Sequence, residues 1–269
     1  STRNINMLLS MHNHTTLCNH ATGSMQEYVE EAIAQNISYF AFSDHAPMSF
    51  DPEYRMSVEQ CDMYEKNVLA LKEKYAKDIQ ILLAYEVDFM NDSPIKYFEP
   101  RVFNAKVDYL IGSVHFLSQW GFDNYEYVKE YKSKNIDDLW QEYFDAICAL
   151  AKCGKFDVVG HLDLIKVFNF MPKKDIRLIA QEAIKQIKKH NLVVEINGSG
   201  LRKPVKEQYP SIDLLQMCYD NDIDITLSTD SHKIEHISSG LEEVHQMAKD
   251  IGYQRAVVFR DRQREYVNL

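Results

Sequence analysis

Short apolar runs alternate along the chain with longer segments in which apolar residues recur every three to four positions. The short runs predict strands over 6–11, 38–43, 79–85, 107–114, 157–160, 192–197 and 223–228, with a further strand over 255–259 near the end. The longer segments predict helices over 57–77, 136–153, 173–190, 211–221 and 238–251. An earlier helix begins at Ser24, which with Glu27 has capping-box spacing ahead of Val29, Ala32 and Ile33 on one apolar face. Strand and helix alternate strictly, which predicts a parallel sheet covered by helices. About seven such units suit one closed barrel better than two separate domains, so 1–269 reads as a single domain. No stretch rich in Gly, Pro or Ser marks a linker. The segment 116–134 is the longest expected loop, with a length that suits a cover over a substrate.

Composition changes this picture little and narrows its use. Hydrophobic residues make up 45% and charged residues 26% of 269, which excludes wholesale disorder. A formal charge of -10, spread along the chain, disfavours broad contact with a phosphate backbone, so no nucleic-acid partner is expected. The five cysteines (Cys18, Cys61, Cys148, Cys153, Cys218) include no C-x-x-C pair, so neither a disulfide framework nor a thiolate zinc site is expected, and a reducing cytoplasm is the expected setting. The N-terminal residues lack a targeting pattern, and no apolar run approaches the roughly 18 residues of a membrane span, so no membrane association is expected.

The histidines carry the chemistry. His12, His14, His45, His115, His161 and His232 each fall within a few residues of the C-terminal end of a predicted strand, where barrels place their active sites. Side chains two apart on an extended segment point the same way, so His12 and His14 can address one ion. His20 follows in the first loop, Glu86 ends the third strand, and Asp230 and His232 repeat the alternate spacing after the seventh. A lone histidine at a strand end is ordinarily a surface or hydrogen-bonding residue. Six of them, with two carboxylates at the same end of the barrel, point to metal binding. His190, His236 and His245 lie on or near helices, away from the predicted mouth. Seven histidines and two carboxylates exceed one tetrahedral ion, and imidazole with carboxylate suits zinc, manganese or iron. A carboxylate such as Glu86 can bridge two ions, and closely spaced ions clamp phosphoryl oxygens, so phosphate-ester hydrolysis is the expected chemistry.

These residues resemble an established family. His12-Asn13-His14, Ser43-Asp44-His45, Glu86, Ser113-Val114-His115, Gly160-His161-Leu162-Asp163 and Asp230-Ser231-His232 are similar to the ordered motifs of the polymerase and histidinol phosphatase (PHP) superfamily. The strings Ser43-Asp44-His45-Ala46-Pro47, Ser113-Val114-His115-Phe116-Leu117 with Trp120-Gly121-Phe122-Asp123, and Gly200-Leu201-Arg202-Lys203-Pro204 resemble its histidinol-phosphatase branch. The resemblance implies a distorted (β/α)7 barrel and three divalent ions, zinc foremost with manganese or iron as alternatives. It implies that His12, His14, Glu86 and Asp230 surround one ion and that Glu86 bridges to a second held by His115 and His161. His20, His45 and His232 would hold the third. The implied reaction is metal-dependent hydrolysis of L-histidinol phosphate to L-histidinol and phosphate, in histidine biosynthesis.

Further roles follow as expectations. Arg202 is expected to read the phosphate, because its planar fork matches two phosphate oxygens, with Lys203 assisting and Arg55 as a further substrate contact. Phe116, Trp120 and Asp123 are expected at the amine and imidazole end, although Trp120 serves equally as a loop anchor. Asp163 is expected to orient an imidazole, and Asp44 is divided between proton transfer and support. Rival readings are a phosphoesterase of the same superfamily acting on a nucleic-acid end, phosphotyrosine or another small phosphate, and a noncatalytic metal-binding scaffold. The small-molecule ester is the expected partner, and oligomeric state is not legible.

Overall fold

The structure, a computed structural model, describes residues 7–269, so Asn6 of the first expected strand lies outside the described residues. In chain order the elements are β1 (Leu8–Ser10), α1 (Met25–Ala34), β2 (Ile37–His45), α2 (Cys61–Lys74), β3 (Gln80–Asp88), α3 (Pro94–Tyr97), α4 (Pro100–Phe103), β4 (Tyr109–Ser113), β5 (Phe116–Leu117) and β6 (Trp120–Gly121). They continue with α5 (Ile136–Lys152), β7 (Val158–Val159), α6 (Ile176–Lys189), β8 (Val193–Asn197), α7 (Ile212–Asp220), β9 (Ile225–Ser228), α8 (Leu241–Ile251), β10 (Arg255–Arg260) and β11 (Gln263–Asn268).

Seven strands form one parallel sheet in the order β1-β2-β3-β4-β7-β8-β9. Its edges meet: Met11 N donates to Leu227 O at 3.0 Å and His14 N to Ser231 O at 3.0 Å, with a parallel bridge between Asn13 and Ser231. This is the distorted (β/α)7 barrel, with helices between the strands. The strands are buried on both faces, which is why they read as near-continuous apolar runs. Helices start where polar caps release them. Ser24 accepts from Glu27 N while Glu27 reaches back to Ser24 N, and Asn135 accepts from Asp138 N ahead of α5. In α5, Leu139, Tyr143, Phe144, Ile147 and Leu150 bury one continuous face. No helix among the described residues is long and apolar enough to cross a membrane.

One expectation changes and another is found and placed. The segment 116–134 is not structureless: β5 and β6 pair as a small hairpin and Tyr125–Ser133 forms 3-10 turns, neither of which has a periodicity the sequence pattern can reveal. The expected strand at 255–259 exists as β10, but it pairs antiparallel with β11 and does not join the barrel. That hairpin covers the end opposite the histidines. Asp108, Asp157 and Asp224 stand just before β4, β7 and β9, and they receive Arg262 N (on Asp108 O, 2.8 Å), the Arg262 side chain (on Asp157, 2.6 Å) and Arg264 (on Asp224, 2.8 Å).

Candidate metal centre

Register places the donors. In the β2–β3 ladder His45 stands opposite Glu86, and in the β3–β4 ladder Glu86 and Asp88 stand opposite Ile111 and Ser113, two residues ahead of His115. The first loop and the turn after β9 are joined through the Asn13–Ser231 bridge, so His12 and His14 face Asp230 and His232. Gly160 is required beside them, because a Cβ there would collide with Ser113 Oγ, which donates to Glu86 Oε2 at 2.7 Å.

Glu86 is the hub. Its Oε1 lies 3.1 Å from His12 Nε2 and 3.4 Å from both His14 Nε2 and His45 Nδ1, while Oε2 lies 3.0 Å from His161 Nε2 and 3.7 Å from His115 Nε2. Asp230 Oδ1 completes the first group, 2.9 Å from His14 Nε2 and 3.4 Å from His12 Nε2. The remaining imidazoles gather above: the His14 ring centroid lies 4.3 Å from that of His45 and 4.0 Å from that of His232. The His20 ring lies 5.1 Å from His45 and 4.9 Å from His232. All nine expected ligands are therefore brought together.

A divalent metal fits this donor set on a structural ground. His12 Nε2, His14 Nε2 and Asp230 Oδ1 are buried without a hydrogen-bond partner, yet they converge on one another and on Glu86. Buried polar atoms that converge without a hydrogen-bond partner are stabilised by a cation between them. Cys18 Sγ also lies within 4.8 Å of the donor atoms of His20 and His232. Its S–H, however, faces Thr15 O at 3.1 Å, and burial pushes the thiol pKa up, away from the thiolate a metal needs.

The imidazoles are oriented from behind, mostly by residues the sequence reading did not single out. Glu195 Oε2 takes His12 Nδ1 at 2.6 Å, and Asp88 holds His115 Nδ1. Asp44 Oδ1 takes His14 Nδ1 at 3.0 Å, while backbone carbonyls hold His20 (Cys18 O, 2.8 Å) and His232 (Asp230 O, 2.9 Å). Such partners fix the tautomer and leave the other ring nitrogen to the metal. Glu195 was visible in one respect: it is the acidic residue inside the apolar run Val193-Val194-Glu195-Ile196.

Several expected roles are corrected. Asp44 is fully buried and its oxygens accept from His14, Thr15 and the His45 N–H, an arrangement that favours the supporting half of its divided role. Asp163 orients no imidazole, because it accepts from Lys166 Nζ at 3.0 Å and Ser211 N at 2.9 Å. Arg55 reaches the cavity wall, but its guanidinium is committed to Asp88 at 2.7 Å, Asp51 at 3.0 Å and Ala46 O at 3.1 Å. Trp120 is buried outside the cavity, with Nε1 on Tyr127 O at 3.2 Å and its ring edge-on to Tyr131, so it anchors the loop. His236, expected off the mouth, lines the cavity.

That cavity, about 670 Å³, opens above the donors. Arg202, Lys203 and Tyr209 line one side, and Phe116, Asp123 and Tyr125 line another. Arg202 donates to Thr229 O at 2.9 Å and Ser239 O at 3.5 Å, and it has no carboxylate ion-pair partner among the described residues. Burial lowers its pKa, so its charge favours an anion nearby.

Electrostatics divide the histidines. Burial disfavours their charged form, and it lowers His20, His45 and His232, with the His14 charge adding to the effect. For His14 the carboxylates of Asp230 and Asp44 outweigh burial and raise the pKa to about 9. For His115, Asp88 and Glu86 outweigh burial and raise it to about 10. Burial likewise opposes ionisation of Glu86 and Asp230, yet the surrounding imidazoles hold both carboxyls well below their usual range. Protonated His14 and His115 therefore stabilise the metal-free fold fully below the ordinary value of 6.5, and that contribution is lost as pH rises through about 9 to about 10. A metal must displace those protons, so its binding strengthens with pH. The melting-temperature gap between zinc-loaded and chelated protein is expected to widen from pH 6.5 to 9 in calorimetry. A constant gap would remove these imidazoles from the ligand set.

Comparison with known proteins places these features. The PHP domain family matches residues 10–199. A probable histidinol-phosphatase of Deinococcus radiodurans is 34% identical over 257 residues, covering 95% of this chain and 97% of the relative. A probable histidinol-phosphatase of Schizosaccharomyces pombe is 28% identical, covering 84% of this chain and 81% of the relative. Among solved structures, histidinol phosphate phosphatase from Lactococcus lactis, complexed with zinc, L-histidinol and phosphate, superposes with a TM-score of 0.82 at 19% identity, covering 96% of this chain and 98% of the other. At that identity the likeness establishes the shared fold.

Proposed function

The chain belongs to the PHP domain family, and from that premise we propose that it is a histidinol-phosphatase, hydrolysing L-histidinol phosphate to L-histidinol and phosphate in histidine biosynthesis. The observation that carries the chemistry is Glu86, whose two carboxylate oxygens face two separate groups of imidazoles on the cavity floor. We assign His12, His14, Glu86 and Asp230 to one divalent ion, Glu86, His115 and His161 to a second, and His20, His45 and His232 to a third, with zinc as the favoured metal. Bound there, the ions would neutralise phosphoryl oxygens and make an attacking water more acidic.

The chain's own residues do the rest. Arg202 and Lys203 orient the phosphate against the donors, and the guanidinium of Arg202, which has no carboxylate partner among the described residues, supplies charge where negative charge accumulates. Phe116, Tyr54, Tyr125 and Phe168 wall the outer cavity with aromatic faces, and Asp123 stands among them. Aromatic faces with a carboxylate suit a substrate whose organic end carries an ammonium and an imidazole. The small cavity and the charge of -10 favour a metabolite over a nucleic acid. The five cysteines are all free thiols, which supports a cytoplasmic setting.

The test is phosphate release from L-histidinol phosphate, p-nitrophenyl phosphate and a short DNA oligonucleotide, before and after chelation with metal add-back. Metal-dependent preference for histidinol phosphate is expected. Preference for another ester would retain the site and overturn the substrate. In the same assay Arg202→Ala is expected to raise KM by roughly 10- to 100-fold with wild-type metal content, the loss of one charge-assisted contact to a dianion. Metal loss in that variant would contradict a phosphate-reading role.

A further inference from the structure

His236 ends the 3-10 turn Ile234–His236 after β9, and the fold brings it onto the cavity wall beside Arg202 and Lys203. Its Nδ1 lies 3.2 Å from the backbone N of His232. A backbone N–H only donates, so Nδ1 accepts and the ring proton sits on Nε2. Nε2 has no hydrogen-bond partner among the described residues, which leaves a fixed N–H donor on a cavity-lining side chain. The positive charges around the ring are Arg202, Lys203 and Lys233.

Arg202 already donates to Thr229 O and Ser239 O, so the three terminal oxygens of a phosphomonoester dianion keep lone pairs that Arg202 and Lys203 leave unfilled. A neutral donor among those cations satisfies another lone pair without adding charge that would retain the product phosphate. We infer that His236 is a substrate-binding residue whose Nε2–H donates to a phosphoryl oxygen of the ester held by Arg202 and Lys203. The inference rests on the phosphomonoesterase reading above and adds to it a contact on the side of the cavity that follows β9. It also gives His236 two duties, because Nδ1 steadies the backbone of the ligand His232 while Nε2 addresses the substrate.

Two substitutions separate those duties. In His236→Asn the amide oxygen takes the place of Nδ1 as acceptor for His232 N–H, but no donor reaches the cavity. In His236→Gln the amide nitrogen stands near the former Nε2 and keeps the donor. Inorganic phosphate is titrated calorimetrically into the zinc-loaded full chain, with metal content measured on each sample. The Asn variant is expected to keep its metal and bind phosphate about tenfold more weakly, with a matching rise in KM and a smaller change in kcat. The Gln variant is expected to stay within about threefold of wild type in phosphate affinity. The inference is overturned if the Asn variant binds phosphate as wild type does, if it loses metal in step with phosphate, or if Gln restores nothing at full metal content. Phosphate is the product of every phosphomonoesterase, so this titration reads His236 even if histidinol phosphate proves not to be the substrate.

Discussion

Glu86→Ala is expected to release metal and to lower kcat/KM by at least about a thousandfold, several kcal/mol of lost transition-state stabilisation. Oε1 faces His12, His14 and His45, and Oε2 faces His161 and His115, so one side chain faces five of the other proposed ligands. Removing it deletes one donor from each of two groups and leaves buried imidazoles without the carboxylate that balances them. Glu86→Gln retains the volume but puts an amide N–H2 against one group, so it is expected to retain part of the metal and little of the activity. Metal analysis by mass spectrometry beside steady-state kinetics checks both. Full metal and full activity in the alanine variant would refute a shared site.

The second large effect is expected from a residue that touches no substrate. Glu195 is fully buried in β8, and each of its oxygens accepts two hydrogen bonds. Oε2 accepts from His12 Nδ1 at 2.6 Å and Ser228 Oγ at 2.9 Å, and Oε1 from His161 N at 2.8 Å and Asn197 Nδ2 at 2.9 Å. Glu195→Ala should cost about 3 to 5 kcal/mol of stability, because it strands buried donors from three neighbouring strand ends. It should also weaken metal binding by roughly 10- to 100-fold, because the His12 ring loses its orientation. Glu195→Gln does not rescue it, since an amide nitrogen at either position meets a donor. Denaturation of the metal-free variant separates the two effects. An unchanged metal affinity in a destabilised variant would reduce Glu195 to a packing role.

Legibility followed periodicity. The seven barrel strands were readable as short apolar runs and the helices that cover them by the period of their apolar faces, and no long-range partner is needed to see either. Eight of the nine proposed ligands were readable because each sits at or just beyond a strand's C-terminal end, the end at which a parallel barrel gathers its loops, while His20 lies further along the first loop. The hairpin of β5 and β6 and the turns Tyr125–Ser133 have no such period. What held that segment was packing, with Trp120 on Tyr131 and Tyr131 stacked on Phe170 at 4.5 Å.

Sequence by itself therefore determined the barrel, the end that carries the chemistry and the side chains that gather there, all of which depend on local spacing and strand order. Only the tertiary structure decided which carboxylate stands behind which imidazole. Glu195 reaches His12 across 183 positions of the chain and Asp88 reaches His115 across 27, while Asp163, which looked equally well placed, turns to Lys166. It also decided that Arg55 is tied to Asp88 while Arg202 has no carboxylate partner among the described residues, and that His236 comes to the cavity. The reason is physical: strand order brings residues to the same end of a barrel, but the direction of a side chain there is set by which hydrogen-bond partner three-dimensional packing leaves within about 3 Å.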